Sequence, residues 1–221
     1  MNKQRVVVVC PGRGSYTRDS SGYFNNHDNK ASSHLSLIDN KRIKHGQLGI
    51  IQLDLMRFKS KIHMTGENAS SLIYACSLNE FLSINLNKYE IVAITGNSMG
   101  WYSALALAGA ITYENGYDLV NTMGSMMKDK IIGGQLIYPI TNNNWIIDER
   151  IQQKVLSEIS KESAHISIIL GGYIVIGGSN ESLKRLQNKL PRIENYPFQI
   201  PYHGAFHTPL MQTVSEQGFD K

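Results

Sequence analysis

One short motif constrains this chain more than any other feature of its sequence: GNSMG at 96–100, a G-x-S-x-G pattern. The run before it, EIVAIT at 90–95, is apolar and predicts a buried strand, whereas the Ala- and Leu-rich run at 102–110 predicts a helix. Between a strand and a helix, the two glycines allow a strained turn that lifts a serine hydroxyl above the edge of a sheet. The N–H groups that open the helix would then face a developing oxyanion. The simpler interpretation is that the glycines only make a tight turn.

The residues around this motif predict an α/β arrangement. The run VVVVC at 6–10 is short and β-branched and ends at Pro-Gly, so it predicts a buried parallel strand. Apolar residues recur at helical spacing over 70–86, and a further helix is predicted at 114–130. The order strand, helix, strand, turn, helix is typical of an α/β fold with a parallel sheet.

A different pattern begins at Gly133 and continues to about residue 200. It predicts alternating strands and helices at 135–140 (strand), 148–161 (helix), 165–170 and 173–178 (a hairpin), 180–189 (a helix capped by Asn180) and 198–201 (extended). The order β-α-β-β-α-β is that of the ferredoxin-like unit. We therefore expect a ferredoxin-like small subdomain at 133–200, inserted into a large α/β hydrolase-like subdomain made of 1–132 and 201–221.

Composition excludes several classes of protein. The 221 residues are 42% hydrophobic and 18% charged, with a formal net charge of +4, which allows a sizeable core and argues against disorder. The nearest thing to a basic run, at 41–44, is interpreted as a solvated face, so no nucleic acid is expected as a partner. The opening apolar run is too short for a signal peptide or a membrane span, and Cys10 and Cys76 are too few for a disulfide framework. We expect a soluble cytoplasmic protein with free thiols and no membrane partner.

A serine hydroxyl needs a base to become nucleophilic, and histidine is the usual one. The chain has seven histidines: His27, His34, His45, His63, His165, His203 and His207. The first three lie in polar sequence and are expected to be solvated, and His165 begins a strand of the inserted unit. His203 and His207 stand four apart, a spacing that could hold a metal ion. However, glycine and proline argue against a helix there, and no nearby Asp, Glu or Cys completes a ligand set, so no metal site is expected.

Three motifs in order make the sequence recognisable: PGRGS at 11–15, GNSMGWYSAL at 96–105 and AFHTPLM at 205–211. Together they resemble those of the malonyl-CoA:acyl-carrier-protein transacylases and the acyltransferase domains of polyketide synthases. The resemblance spans nearly the whole chain, and the inserted unit resembles the small subdomain of that family.

The resemblance implies a two-step acyl transfer. Ser98 would attack an acyl-CoA with His207 as general base, and the resulting acyl-serine would pass its acyl group to the phosphopantetheine thiol of an acyl carrier protein. The backbone N–H groups of Arg13 and Met99 correspond to the family's oxyanion hole. This chemistry requires no metal and no bound cofactor, because the phosphopantetheine belongs to the partner. A place in fatty acid or polyketide biosynthesis follows from the same resemblance.

Departures from the family pattern concern the substrate. Asn97 stands where the family usually has His, Trp101 where it has Glu, and Arg13 where it has Gln. Malonyl-type members carry an arginine 25 residues after the serine, where this chain has Met123. A methionine cannot pair with a buried carboxylate, so the expected substrates are uncharged acyl groups, unless Arg13 serves instead. We assign Met123, Asn97 and Trp101 to the substrate-binding surface.

Two further expectations remain open at this point. Family members continue for several tens of residues after the histidine motif, whereas 14 residues follow His207 here, so we expect a fragment, a protein completed by a partner, or a degenerate relative. An acyl hydrolase that strips acyl groups from carrier proteins would use the same serine and histidine. A non-catalytic carrier-binding relative is the third alternative, and the intact motifs count against it.

Overall fold

The computed structural model describes residues 2–128 and 130–218, and its contacts divide the chain into two units, 1–128 and 129–221. The first unit contains strands β1 (Gln4–Cys10) and β2 (Tyr89–Gly96), a 3₁₀ helix at Arg18–Ser20, and helices α1 (Tyr23–Asn26), α2 (Ser32–Lys44), α3 (Ile50–Leu55), α4 (Ser60–His63), α5 (Gly66–Leu82), α6 (Gly100–Leu107) and α7 (Tyr113–Ser125). The second contains β3 (Gly134–Pro139), α8 (Glu149–Lys161), β4 (His165–Leu170), β5 (Tyr173–Gly178), α9 (Asn180–Lys189), β6 (Phe198–Gln199), a 3₁₀ helix at Pro209–Met211 and α10 (Gln212–Gly218). None of the described helices is long and apolar enough to cross a membrane.

The sheet of the first unit is a parallel pair, β1 with β2, with a register shift between Val6 and Val7. The parallel pairing agrees with the prediction, but the expectation of a strand buried on both faces is wrong. Val8 packs against the core, whereas Val7 and Val9 are 55% and 66% exposed. Because side chains alternate between the two faces of a strand, a continuous apolar run still divides into one covered and one exposed row when only one face is packed.

Helices α5, α6 and α7 of the first unit pack at very short backbone separations. A Cβ on Gly66 of α5 would lie 2.3 Å from the carbonyl oxygen of Gly124 on α7. A Cβ on Gly116 would lie 2.5 Å from Cβ of Ala106, so α6 and α7 are equally close. The hydroxyl of Tyr74 donates to the carbonyl of Tyr113 at 2.7 Å, which ties α5 to the start of α7. These contacts fix the helix that follows the serine motif.

The basic run 41–44 is a solvated face only in part, since Lys44 is exposed and Lys41 partly exposed, but one of its residues is buried. Its arginine, Arg42, is fully buried, although the neighbouring Ile43 is 63% exposed. The Arg42 guanidinium donates to the carbonyl of Leu48 at 2.5 Å, to Ser71 Oγ at 2.7 Å and to Asn68 Oδ1 at 2.6 Å. A buried cation needs such acceptors because desolvation is otherwise too costly. The charged run did not predict the burial of Arg42 because a helix directs consecutive residues to different faces.

Asp54 is a second buried charged group, and it holds the segment that follows the first loop. Its carboxylate accepts the Tyr16 hydroxyl at 2.6 Å and the backbone N–H groups of Tyr23 and Phe24 at 3.1 and 3.0 Å. Its carbonyl accepts from the Gly22 N–H at 2.9 Å. These hydrogen bonds satisfy a fully buried carboxylate and fix residues 16–24 against α3.

The two cysteines both lie in the first unit and are free thiols. Cys10 is buried at the end of β1, and Cys76 is half-buried on α5. Desolvation raises the pKa of both thiols above the usual range, which disfavours the nucleophilic thiolate.

The second unit has the element order β-α-β-β-α-β and an antiparallel sheet with strand order β4-β5-β3-β6. Helices α8 and α9 bury Val155, Ile159, Leu183 and Leu186 in a core with residues of β3 and β5. The Asp148 carboxylate caps α8, and Ser179 caps α9 through a hydrogen bond from the Ser182 N–H at 3.1 Å. The predicted cap, Asn180, is instead the first residue of the helix.

The segment after residue 200 forms hydrogen bonds with the second unit. The described part of 201–221, to residue 218, groups with the second unit, and the prediction that this segment completes the large subdomain stays a prediction. The Ala205 N–H donates to the carbonyl of Ile132 at 2.8 Å, and Ser167 Oγ donates to the carbonyl of Phe206 at 2.7 Å. These tertiary hydrogen bonds cannot be inferred from a local pattern. Phe219–Lys221, the end of the predicted domain, lie outside the described residues.

Replacement of Asp54 by asparagine should destabilise the first unit. An amide cannot accept all three hydrogen bonds, and its NH₂ group would face a backbone N–H. We expect Asp54→Asn to lower the free energy of unfolding by about 1–3 kcal/mol, measured by urea denaturation. Asp28→Asn, at a side chain 87% exposed, is the matched control and should change stability by less than about 0.5 kcal/mol. Equal stabilities for the two variants would contradict the role given to Asp54.

Candidate active site

The backbone at Ser98 has the strained conformation that the G-x-S-x-G motif predicts. β2 ends at Gly96, α6 begins at Gly100, and Ser98 between them has φ of +53°, in the left-handed region. A residue with a Cβ adopts this region at a cost of about 1–2 kcal/mol. The turn therefore stores strain at the residue whose hydroxyl the sequence assigns to catalysis.

The first loop and the turn at Ser98 are in direct backbone contact. A Cβ on Gly100 would lie 2.2 Å from the carbonyl oxygen of Cys10, and the Asn97 N–H donates to that same oxygen at 3.1 Å. A Cβ on Gly12 would lie 2.8 Å from the carbonyl oxygen of Asn97 and 3.5 Å from Cβ of Ser98. No side chain fits at either glycine without moving backbone. The structure thus brings the loop that carries Arg13 against the serine turn.

Helix α6 begins at Gly100, two residues after the serine. The N–H groups of Gly100, Trp101 and Tyr102 donate to the carbonyls of Asn97, Ser98 and Met99 at 2.8–3.0 Å, which forms its first turn. The Met99 side chain is buried in the core of the first unit, and this packing holds the turn in place. The predicted oxyanion donors, the backbone N–H groups of Met99 and Arg13, therefore belong to two segments that touch. Their role in catalysis remains a prediction.

Arg13 is half-buried beside this turn. Desolvation lowers the pKa of its guanidinium to about 10. It therefore remains protonated at neutral pH, and its positive charge is poorly hydrated. A desolvated cation attracts an anionic group more strongly than a hydrated one does.

His207 lies in the second unit, in the loop before the 3₁₀ helix Pro209–Met211. Its φ is +57°, so it too has the left-handed conformation. Although the residue is exposed, partial desolvation lowers the pKa of its imidazole below the usual value. A lowered pKa keeps the imidazole neutral at neutral pH, as a general base must be. Ser98 and His207 lie in different units, so their pairing stays a prediction.

Several of the other histidines have hydrogen-bond partners. His203 Nδ1 lies 2.8 Å from Oε1 of Gln135, so this ring is held in the second unit. His63, which no sequence signal singled out, is fully buried, with Nε2 2.9 Å from the carbonyl oxygen of Leu53. His34 lies on α2 and pairs with Glu114 at 3.0 Å, rather than being solvated as predicted. Among residues 2–128 and 130–218, no group of three or more His, Cys, Asp or Glu is placed to hold a metal ion.

The predicted substrate-binding residues all lie in the first unit. Asn97 is half-buried, and its Nδ2 lies 3.1 Å from where a Cβ on Gly12 would be. Trp101 is 56% exposed on the first turn of α6. Met123 is half-buried near the end of α7, one residue before the close contact of that helix with α5. The structure therefore brings Asn97 to the serine turn, whereas a substrate contact for Met123 remains a prediction.

Two residues near His207 were missed from the sequence. Gln135 on β3 and Ser167 on β4 both form hydrogen bonds near the histidine motif. The sequence predicts Gln135 only as the first residue of a strand. Its one available signal was a polar residue in an otherwise apolar strand, and it is 2% exposed.

The strain at Ser98 predicts a measurable gain in stability when the side chain is removed entirely. Glycine adopts the left-handed region without penalty, so Ser98→Gly should be more stable than Ser98→Ala by about 1 kcal/mol. Thermal or urea denaturation of the two variants measures this difference. Both variants lack the hydroxyl, and glycine otherwise costs stability through its larger unfolded-state entropy, so a more stable glycine variant reports a strained backbone. A less stable glycine variant would show that the turn is unstrained.

Comparison with curated proteins finds relatives in polyketide biosynthesis. The polyketide biosynthesis protein ThaF of Burkholderia thailandensis is 28% identical over 126 residues, which span 56% of this chain and 10% of ThaF. The polyketide biosynthesis malonyl CoA-acyl carrier protein transacylase PksC of Bacillus subtilis is 23% identical over 216 residues, 96% of this chain and 70% of PksC. No protein-family model matches the chain.

Comparison with solved structures finds malonyl-CoA:acyl-carrier-protein transacylases. The enzyme of Synechocystis superposes with a TM-score of 0.78 at 16% identity, over 98% of this chain and 69% of that one. The enzyme of Mycobacterium tuberculosis gives 0.76 at 19% identity, with the same coverage. A malonyl-transacylase solved in complex with a type II polyketide synthase acyl-carrier protein gives 0.71 at 17% identity, over 96% and 67%.

The chain thus matches about a tenth of one curated relative and about 70% of the other and of the two single-enzyme structures. The curated relatives act in polyketide biosynthesis, and the structural neighbours share one fold across almost all of this chain. The comparisons therefore confirm the resemblance read from the three motifs, and the chain has the α/β fold of the malonyl-CoA:acyl-carrier-protein transacylases.

Proposed function

We propose that this protein is an acyltransferase that moves an acyl group from acyl-CoA to the phosphopantetheine thiol of an acyl carrier protein. The reaction would pass through an acyl ester on Ser98 and serve fatty acid or polyketide biosynthesis. The observation that carries the proposal is the left-handed Ser98, placed between β2 and α6 and in contact with the first loop. Ser163 also has a positive φ, so what distinguishes Ser98 is its place between a strand and a helix, with Gly96 and Gly100 on either side.

In the first step, the Ser98 hydroxyl oxygen attacks the thioester carbonyl and His207 takes its proton. The carbonyl oxygen becomes negative and accepts hydrogen bonds from the N–H groups of Met99 and Arg13. The C–S bond then breaks, and CoA leaves with the proton from His207. In the second step, the carrier thiol attacks the ester, its proton passes through His207 to the Ser98 oxygen, and the carrier leaves acylated. The second step returns Ser98 and His207 to their starting protonation states, so no cofactor is consumed.

An acyl carrier protein is the proposed acceptor because PksC is a malonyl CoA-acyl carrier protein transacylase. The structural neighbour in complex with an acyl-carrier protein supports the same partner. The protein is proposed to work in the cytoplasm, where CoA thioesters and carrier proteins meet.

The covalent step can be tested directly. We expect intact-mass spectrometry after incubation with acyl-CoA to find one acyl group per chain on the wild-type protein and none on Ser98→Ala. The matched control is Ser103→Ala, a buried serine of α6, which should still acylate. An acyl adduct on Ser98→Ala would overturn the assignment of the nucleophile. Loss of the adduct to water as fast in the absence of carrier protein as in its presence would instead identify a hydrolase.

His207 as general base predicts both a rate loss and a pH profile. His207→Ala should slow acylation of Ser98 by about 10²- to 10⁴-fold, and His203→Ala should have a much smaller effect. Because the base must be neutral and its pKa is lowered, the wild-type rate should stay high on acidification and fall only below about pH 6.5. Single-turnover acylation across pH measures both. A larger loss for His203→Ala, or a rate that falls already above pH 7, would contradict this assignment.

The substrate preference follows from the side chain at position 123. A neutral acyl tail loses little against the thioether of Met123, whereas a malonyl carboxylate would lose its hydration without gaining a fork-shaped partner. Arg13, in the loop whose Gly12 lies against the serine turn, is a cation that could compensate. We infer that the protein prefers acetyl or longer uncharged acyl groups.

This preference predicts that the wild-type protein acylates faster from acetyl-CoA than from malonyl-CoA. Met123→Arg should raise the malonyl-to-acetyl rate ratio by about tenfold or more, the effect of hydrogen bonds to a charged group worth about 1.5–3 kcal/mol. Met123→Gln, polar but uncharged, is the matched control and should leave the ratio near the wild-type value. Faster loading of malonyl-CoA by the wild-type protein would contradict the inference, and Arg13→Gln would then test the other cation.

A further inference from the structure

His207 has a left-handed backbone conformation, and the peptide bond before it is held by side-chain hydrogen bonds. His207 has φ of +57°, a conformation that costs a non-glycine residue about 1–2 kcal/mol unless its surroundings compensate. The angle φ describes rotation about the bond from the backbone nitrogen to Cα. The direction of the His207 side chain therefore depends on how the plane of the Phe206–His207 peptide is fixed. The carbonyl oxygen of Phe206 lies in that plane.

Two side chains of the second unit's sheet bind this carbonyl oxygen. Ser167 Oγ donates to it at 2.7 Å, and Nε2 of Gln135 donates at 3.5 Å. The same Nε2 group donates to Ser167 Oγ at 2.6 Å, so the two side chains also hold each other. Gln135 is 2% exposed, and a buried amide with three partners is costly to rearrange.

The loop that carries His207 packs directly against the sheet of the second unit at Gly177. Gly177 on β5 lies between β3 and β4, and a Cβ there would be 2.6 Å from Cγ2 of Thr208 and 3.6 Å from the carbonyl oxygen of Phe206. The absence of a side chain at Gly177 lets the loop lie directly on the sheet. Gln135, the antiparallel partner of Gly177, comes from one side. Ser167 lies on β4, the neighbour of β5 on the opposite side.

Ser167 reaches the loop because β4 is irregular at that residue. Ile166 pairs with Ile176 and Ile168 with Val175, so Ser167 is the extra residue of a β-bulge. A bulge turns one side chain away from the alternation of the strand, and bulges often re-aim side chains beside functional sites. Here the re-aimed hydroxyl binds the carbonyl that precedes His207.

His203 completes the arrangement by fixing the orientation of the Gln135 amide. The Gln135 Oε1 atom only accepts hydrogen bonds, so the His203 Nδ1 at 2.8 Å must carry a proton. This contact commits the amide oxygen to His203 and the amide NH₂ group to Ser167 and Phe206. His203 is thus linked to the Phe206–His207 peptide plane through two successive hydrogen bonds, one to Gln135 and one from Gln135 to Phe206.

We propose that Gln135 and Ser167 are positioning residues for His207. They hold the Phe206–His207 peptide plane through the Phe206 carbonyl and so keep His207 in its left-handed conformation, with the imidazole aimed in one direction. The proposal rests on the proposed role of His207 as general base. Neither side chain needs to touch substrate, so both act on the rate of the chemical step rather than on the binding of acyl-CoA.

Single-turnover acylation of the full chain tests this, with acetyl-CoA as the acyl donor, or malonyl-CoA if the wild-type protein loads it faster. Gln135→Leu and Ser167→Ala should lower the maximal rate about 10- to 100-fold, the effect of a small misplacement of a reacting group. The half-saturating concentration of acyl-CoA should stay unchanged. Ser167→Thr keeps the hydroxyl and should recover most of the rate. Gln153→Leu and Ser160→Ala make similar changes on the exposed side of α8 and should have no effect.

The outcomes separate the two proposals. If the wild-type protein forms no acyl-serine, or if His207→Ala acylates at the wild-type rate, the proposed function fails. If acylation depends on His207 but Ser167→Ala and Ser167→Thr both acylate at the wild-type rate, the positioning role is overturned. A loss that appears only as a raised half-saturating concentration overturns it too. Should Gln135→Leu fail to fold, shown by its circular dichroism spectrum, the two Ser167 variants decide alone.

Discussion

The close contact between the backbones of Cys10 and Gly100 is the constraint on which the serine site depends. The carbonyl oxygen of Cys10 occupies the space that a side chain at position 100 would need, and it also accepts the N–H of Asn97. The end of β1, the turn after β2 and the start of α6 are thereby fixed to one another. A left-handed Ser98 persists because this contact leaves the turn no relaxed alternative. The conformation on which the proposed reactivity of Ser98 depends is therefore fixed by backbone contacts.

Local patterns were sufficient to predict most of the secondary structure. The hairpin strands His165–Leu170 and Tyr173–Gly178 and the helix Asn180–Lys189 have the predicted bounds, because a Gly-Gly turn and a polar cap mark their ends. Burial was predicted less well. The exposed Val7 and Val9 and the buried Arg42 show that the covering of a residue depends on distant segments. Residue type alone cannot report which face of an element another element will cover.

The candidate site was predicted in part for the same reason. Ser98 was evident because all the signals for its turn lie within a few residues of it. The support around His207 was missed because it joins Gln135, Ser167 and Phe206, which are up to 71 residues apart, and depends on a bulge. The assignment of 201–218 to the second unit follows from these same contacts. Local sequence patterns cannot indicate a hydrogen bond between residues so far apart in the chain.

The bulge at Ser167 also affects how the sheet meets its surroundings. β4 is the outer strand in the order β4-β5-β3-β6, and its residues Ile166 and Ile169 are 42% and 62% exposed. An outer strand with exposed isoleucines and a regular backbone would offer a template for another chain to pair with. The extra residue breaks the regular spacing of N–H and C=O groups along that edge, so a straight strand cannot continue the ladder. The irregularity that turns one hydroxyl toward the histidine loop therefore also interrupts the regular pattern of an edge strand, a feature that disfavours edge-to-edge pairing.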